Sequence, residues 1–287
     1  MTASTSHRPL PQASRLRRGT LVAAALSLSL VFGVGLGTGS ARAEDSTGFD
    51  QVLNSNDAKN DRSGAPSGSN LVALKTDAAT AVAKRQRVLD RLSNELSDAS
   101  VDCGANAELT TTIADSSVVL NEIAGRIAAA TDMKVAKAAA SELFPATRVF
   151  ALVLPQVQVS LICASTVAQT LQLQARISAG TLALDPIRST IEAQAALAQG
   201  TVAAGAALKS VPSLGPAATG TAQLVPDRGD PVVAAANAAA LNAARTPVRA
   251  ADAALVAAER SVREFERLAE LAKKRAVKTT KVKKPVK

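Results

Sequence analysis

The chain has 287 residues and a formal net charge of +9, with 47% apolar but only 2% aromatic residues. It has no Trp or Tyr, so a core must be built from Ala, Val, Leu and Ile, which favours helices over the β-branched and aromatic make-up of sheets. The only histidine is His7, in a segment expected to be cleaved off, which excludes imidazole catalysis and histidine-bound zinc from the rest of the chain.

Residues 1–43 read as a signal peptide. Arg8, Arg15, Arg17 and Arg18 precede an uncharged apolar stretch from Leu21 to Leu36, and small residues lead to Ala41-Arg42-Ala43 before Glu44. Basic start, apolar centre and small-residue cleavage site are the three parts of a secretory signal. The stretch is short and interrupted by Gly33 and Gly35, which makes it a poor membrane span; an uncleaved anchor is the alternative. The expected location is secreted or cell-envelope.

Residues 44–69 are rich in Asp, Asn, Ser and Gly without apolar periodicity, and predict a disordered lead. A helical bundle is expected over 70–209. Its first helix runs over 71–97, where Leu71, Leu74, Ala78, Val82, Leu89, Leu92 and Leu96 recur at three- and four-residue steps. That near-heptad stripe also makes self-association an expectation. The second helix starts at Asn106 as N-cap and buries Leu109, Ile113, Leu120, Ile123 and Ile127. Thr131 and Asp132 turn the chain into a third helix from Met133 towards Ser178, broken at Pro145 or at Pro155. Gly180 is its expected stop.

Cys103 and Cys163 are the only cysteines. Export places them where disulfides form, and an even pair predicts one bridge, with buried free thiols as the alternative. Helix geometry supports the bridge. At about 1.5 Å rise per residue, a third helix descending from residue 132 regains the level of the Cys103 turn near residue 160. Closing that loop would contribute on the order of 4 kcal/mol.

Residues 149–163 are apolar on nearly every side. Three readings are open: the central helix of a bundle, a membrane span weakened by Pro155, Gln156 and Gln158, or a strand over Gln156 to Leu161. The central helix is favoured. A fourth helix is announced by Asp185-Pro186, with Ile187, Ile191, Leu197 and Val202 as its stripe. Pro212, Gly215, Pro216, Gly220, Pro226 and Gly229 mark 210–229 as a linker. Asp230-Pro231 opens a last long helix over 230–272, with Thr246-Pro247 as a potential kink.

Residues 273–287 form a tail with Lys273, Lys274, Arg275, Lys278, Lys281, Lys283, Lys284 and Lys287 and no acid. Such a run is expected to be disordered alone and to bind an anionic cell-wall polymer or lipid surface through counterion release. The bland alternative is a solvated tail that caps the helix dipole. Without aromatic residues it has no stacking platform, so specific nucleic-acid binding is not expected.

The stretch from Thr131-Asp132 through Leu143-Phe144 and Arg148-Val149-Phe150-Ala151-Leu152-Val153-Leu154-Pro155 resembles a group of secreted helical proteins from high-GC Gram-positive bacteria. Leu224-Val225-Pro226 and the alanine-rich final helix are similar too. The resemblance implies a bundle of long antiparallel helices and carries over no site residues.

The expected fold is thus all-α: an antiparallel bundle of about four to six helices, long and partly coiled-coil-like, with disordered ends. No catalytic, metal-binding or cofactor residue is expected. Asp98 and Asp102, the nearest approach to a carboxylate pair, read as solvated helix-end residues. The expected function is a non-enzymatic secreted or cell-envelope protein acting in interaction or surface structure, with a protein partner or a second copy. A carrier holding an apolar ligand beside Phe150 to Leu161 is the alternative, and a carboxylate-only enzyme a third.

Overall fold

A computed structural model describes residues 49–63, 66–209 and 211–282. Its class is all-α, and among the described residues there is no strand. Residues 1–43, expected as a signal peptide, and the tail residues Lys283, Lys284 and Lys287 lie outside the described residues.

The lead is partly folded, contrary to expectation. Residues 49–54 are helical, followed by α1 (Asn56–Ser63). Phe49, Leu53 and Ala58 are buried, and these three side chains anchor a segment whose overall polarity suggests none. Asp50 reaches the last long helix, pairing with Arg245 at 3.3 Å and Arg249 at 2.5 Å.

Helix α2 (Leu71–Asp98) is capped by Asn70, whose Oδ1 accepts from the Ala73 amide at 2.9 Å. It buries Leu74, Ala78, Val82, Leu89, Leu92 and Leu96, the stripe its spacing predicts. Helix α3 (Asn106–Ala129) runs back antiparallel to it: Gln86 donates to the Ser117 carbonyl and Lys75 to the Ala128 carbonyl. Its cap is Asp102 rather than Asn106. One Asp102 oxygen accepts from the amides of Gly104, Ala105 and Asn106 at 2.8, 3.2 and 3.3 Å. Helix α4 (Met133–Glu142) starts on Asp132, which accepts from the Val135 amide.

The third predicted helix breaks at Pro145. The chain turns over 143–147, Arg148 takes a left-handed conformation (φ 47°), and one π-helical turn (Val149–Val153) leads into α5 (Leu154–Leu184). Pro155 follows the π-helical turn directly, and the helical run continues through it into α5 without a break. Every residue from 149 to 157 is buried. The segment Val149–Ile187 is long and apolar enough to cross a membrane, yet 78% of its apolar window is covered by the rest of the protein. It is the central helix, and neither a strand nor an exposed span.

Asp185-Pro186 does not open the next helix. It forms a 3₁₀ turn (Asp185–Ile187) at the end of α5, and α6 (Ile191–Leu208) starts instead on Thr190, whose hydroxyl accepts from the Ala193 amide. Residues 210–229, expected as a linker, contain α7 (Leu214–Ala222) with Leu214, Ala218 and Ala222 buried. Asp230 then caps α8 (Pro231–Val282), accepting from the Val232 amide at 2.8 Å. This helix passes Pro247 without ending and continues beyond Ala272.

Side-chain contacts fix the directions. Arg148 meets the loop just before α8, and Arg176 further along α5 meets Glu266 further along α8. Those two helices are therefore parallel, which departs from the all-antiparallel expectation. The reason is that α6 and α7 together carry the chain back to the start of α5. Gln199 donates to Ser261 and Arg275 to Glu192, so α6 is antiparallel to α8.

The apolar interior has two parts. The first gathers α2, α3, α4, the π-helical turn, the first half of α5, α7 and the first half of α8. The second holds only the end of α5, α6 and the second half of α8. In the second part the expected α6 stripe holds only in part: Ile187 and Leu197 pack against this interior, but its buried positions are Ala193, Ala196, Ala203 and Ala207, whereas Ile191 is 82% and Val202 60% exposed. The fully buried Phe265 ring explains this. A Cβ at Gly180 would stand 2.4 Å from that ring and one at Gly200 3.1 Å, so only small residues fit around it. Gly180 is thus not a helix stop but a recess.

Candidate functional site

The cysteines predicted to pair do so. Cys103 and Cys163 form a disulfide with their Cα atoms 6.2 Å apart, tying the α2–α3 turn to α5. Cys163 is buried, so the bridge belongs to the scaffold. Ser160, one turn before it, donates to Asn106 Oδ1 at 2.9 Å.

Two buried ion pairs surround the start of α5. Asp61 of α1 pairs with Arg85 of α2 through one oxygen. Its other oxygen accepts from the amides of Phe150 and Ala151 at 2.5 and 3.3 Å, groups that open the π-helical turn and lack helical partners. The Arg85 guanidinium lies 4.0 Å from the Phe144 ring centre and 5.2 Å from that of Phe150, a cation–π arrangement. Burial pushes the Asp61 carboxyl above its ordinary range, against the pull of Arg85 and the two amides. The second pair is Arg148 with Asp227, bidentate at 2.8 and 2.9 Å. The loop carrying Asp227 is held further by Gln156, donating to the Thr221 and Leu224 carbonyls, and by Asn237, donating to Val225. These charges position backbone, and Arg148 and Asp227 also line a recess of about 250 Å³ together with Ala151, Leu152 and Asn237.

Sequence reasoning missed Arg85, although a signal was there. It falls between Val82 and Leu89 in the buried stripe of α2, and a charge at such a position calls for a buried partner. Asp61 and Asp227 left no periodic trace.

Among the described residues, the cations of the basic run divide between those held by acids and those free of them. Lys273, Lys274, Arg275 and Lys278 stand on α8, past the buried Ala272. Lys273 is held by Glu270 at 3.0 Å and Arg275 by Glu192 at 2.8 Å. The hydrogen bond from Arg275 holds the Glu192 carboxyl below its usual range. Lys274 and Lys278 are exposed and pair with no acid among the described residues. Lys281 is in the last turn of the helix.

A groove of about 550 Å³ lies beside the disulfide. Phe49, Leu161, Ile162, Ala164 and Ala168 give it an apolar floor, and Glu95, Asp98, Ser100 and Gln158 a polar edge. Asp98 is exposed there as the sequence suggested, while Asp102 is occupied as the α3 cap. Among the described residues no group of His, Cys, Asp and Glu side chains is placed to hold a metal ion. No family model matches the chain, and neither a curated protein nor a solved structure matches it.

Proposed function

We propose that this is an exported, non-enzymatic helical protein of the cell envelope, acting through its surfaces and drawn to anionic envelope material by its basic end. One observation carries the reading: α8 continues past Ala272 and, among the described residues, holds Lys274 and Lys278 in solvent without acidic partners. A helical extension fixes the spacing of those charges, so they meet a polyanion without first being ordered. The signal-like residues 1–43, the Cys103–Cys163 bridge and the resemblance of 131–157 to secreted helical proteins support export.

The test compares the full chain with a version ending at Ala272 in wall-bound and culture-medium fractions, at low and high salt. Retention of the full chain alone, reversed by salt, is expected. Equal release of both versions would sink the tether.

The groove beside the disulfide favours a second reading, a carrier for a small apolar ligand. Its volume lies in the range of about 300–1,000 Å³ common to such sites, and it adjoins the α5 segment where an apolar pocket was expected.

A further inference from the structure

Resting on the carrier reading, we propose that the groove takes a cationic amphiphile: an alkyl chain against its floor and a protonated amine at its edge.

The floor sets the first half of that ligand. Phe49, Leu161, Ile162, Ala164 and Ala168 offer carbon surface and no hydrogen-bonding group of their own side chains. An alkyl chain is held more tightly with each CH₂ it buries there.

The edge sets the second half, because it holds acceptors and carboxylates but no cation. Glu95, Asp98, Ser100, Gln158 and Ser165 supply every polar side chain of the lining. Ser165 already donates to the Ile162 carbonyl, and Glu95 lies 3.5 Å from Arg91. Asp98 has no ion pair among the described residues, and the buried amide oxygen of Gln158 accepts no hydrogen bond. A carboxylate and an unused carbonyl oxygen beside an apolar trough complement a head group that is positive and donates. A fatty acid would bring a second negative charge to the same edge, and an alcohol would leave Asp98 without its counter-charge.

The experiment is calorimetric titration of the full mature chain with dodecylammonium, dodecanol and dodecanoate, each below its aggregation limit. Dodecylammonium is expected to bind one to one, with dodecanoate at least tenfold weaker. Asp98→Asn, on an exposed side chain, should weaken the amine about tenfold, the loss of one charge-assisted hydrogen bond, and leave dodecanol unchanged. Ala168→Phe, which fills the trough, should abolish binding of all three while thermal unfolding shows the fold intact. Equal binding of dodecanol and dodecylammonium would overturn the cationic head group and keep the carrier. Binding of none, or binding that survives Ala168→Phe, would overturn both.

Discussion

Around the disulfide, leucines, isoleucines and phenylalanines enclose charges taken out of water, and each charge fixes a piece of backbone. At the far end, three helices meet through alanines around a single ring. The first arrangement tolerates loops, a helix break and two left-handed arginines, because Asp61, Arg85, Arg148 and Asp227 hold them in place. The second has one tight turn, at Asp185–Ile187, and its ion pairs, Arg176 with Glu266 and Arg275 with Glu192, stand partly in solvent rather than in the interior. Close approach of helix axes is enough where Gly180 and Gly200 admit Phe265. The contrast teaches that a chain poor in aromatics can hold its helices either by a few expensive polar pins or by removing side-chain bulk.

Substitutions separate the two modes. Phe265→Ala empties the centre of the alanine-rich part and should cost about 3–5 kcal/mol of unfolding free energy, measured by denaturant titration. Asp227→Ala leaves Arg148 buried without a counter-charge and should cost a similar amount, about 3–5 kcal/mol. Hydrogen exchange should show that loss confined to the loop at 223–230 and the start of α5. Equal loosening of α6 would break the proposed division. Replacing both cysteines by Ala should cost about 2–5 kcal/mol and release the α2–α3 turn first. Gly180→Ala forces a methyl group into the Phe265 ring and should cost about 1–3 kcal/mol, more than Gly200→Ala, whose added carbon meets the ring at 3.1 Å.

The smallest effect is a pH slope. Burial raises the folded-state pKa of Asp61 above the ordinary range of an aspartate carboxyl, so the folded protein holds that proton more tightly than the unfolded chain. Stability attributable to Asp61 is therefore highest at acid pH and declines as pH rises through the window between its unfolded and folded values. The difference in unfolding free energy between the native chain and Asp61→Asn should move against the native chain across that window. A difference independent of pH would show that Arg85 and the two amides offset the burial.

The helical class, the α2 and α3 stripes, the Asp132 and Asp230 caps and the disulfide were legible because each rests on local spacing or on a residue type with few uses. Position 85 shows where that stops: a charged residue in an apolar stripe reads as an interruption until Asp61 is known to face it. Half of the α6 stripe, Ile191 and Val202, was misplaced for a related reason. Hydrophobicity ranks Ile191 and Val202 above Ala193 and Ala196, but the volume available next to Phe265 reverses the ranking, and volume is a property of the neighbours. The lead over 49–63 failed similarly, since three buried side chains anchor a polar segment without any period. The groove drew on Phe49 from that segment, so it too lay beyond local reading.

Helix α8 is common to both parts of the interior and spans about 78 Å along its axis. It lies parallel to α5 and antiparallel to α6 for much of that length. A pull on its basic end therefore acts along the axis and loads many side-chain contacts at once, as shear. The opposite geometry would peel one turn after another. A protein held to a surface by that end would resist being torn away with the strength of its whole long helix, and would yield first where Pro247 leaves the backbone one hydrogen bond short.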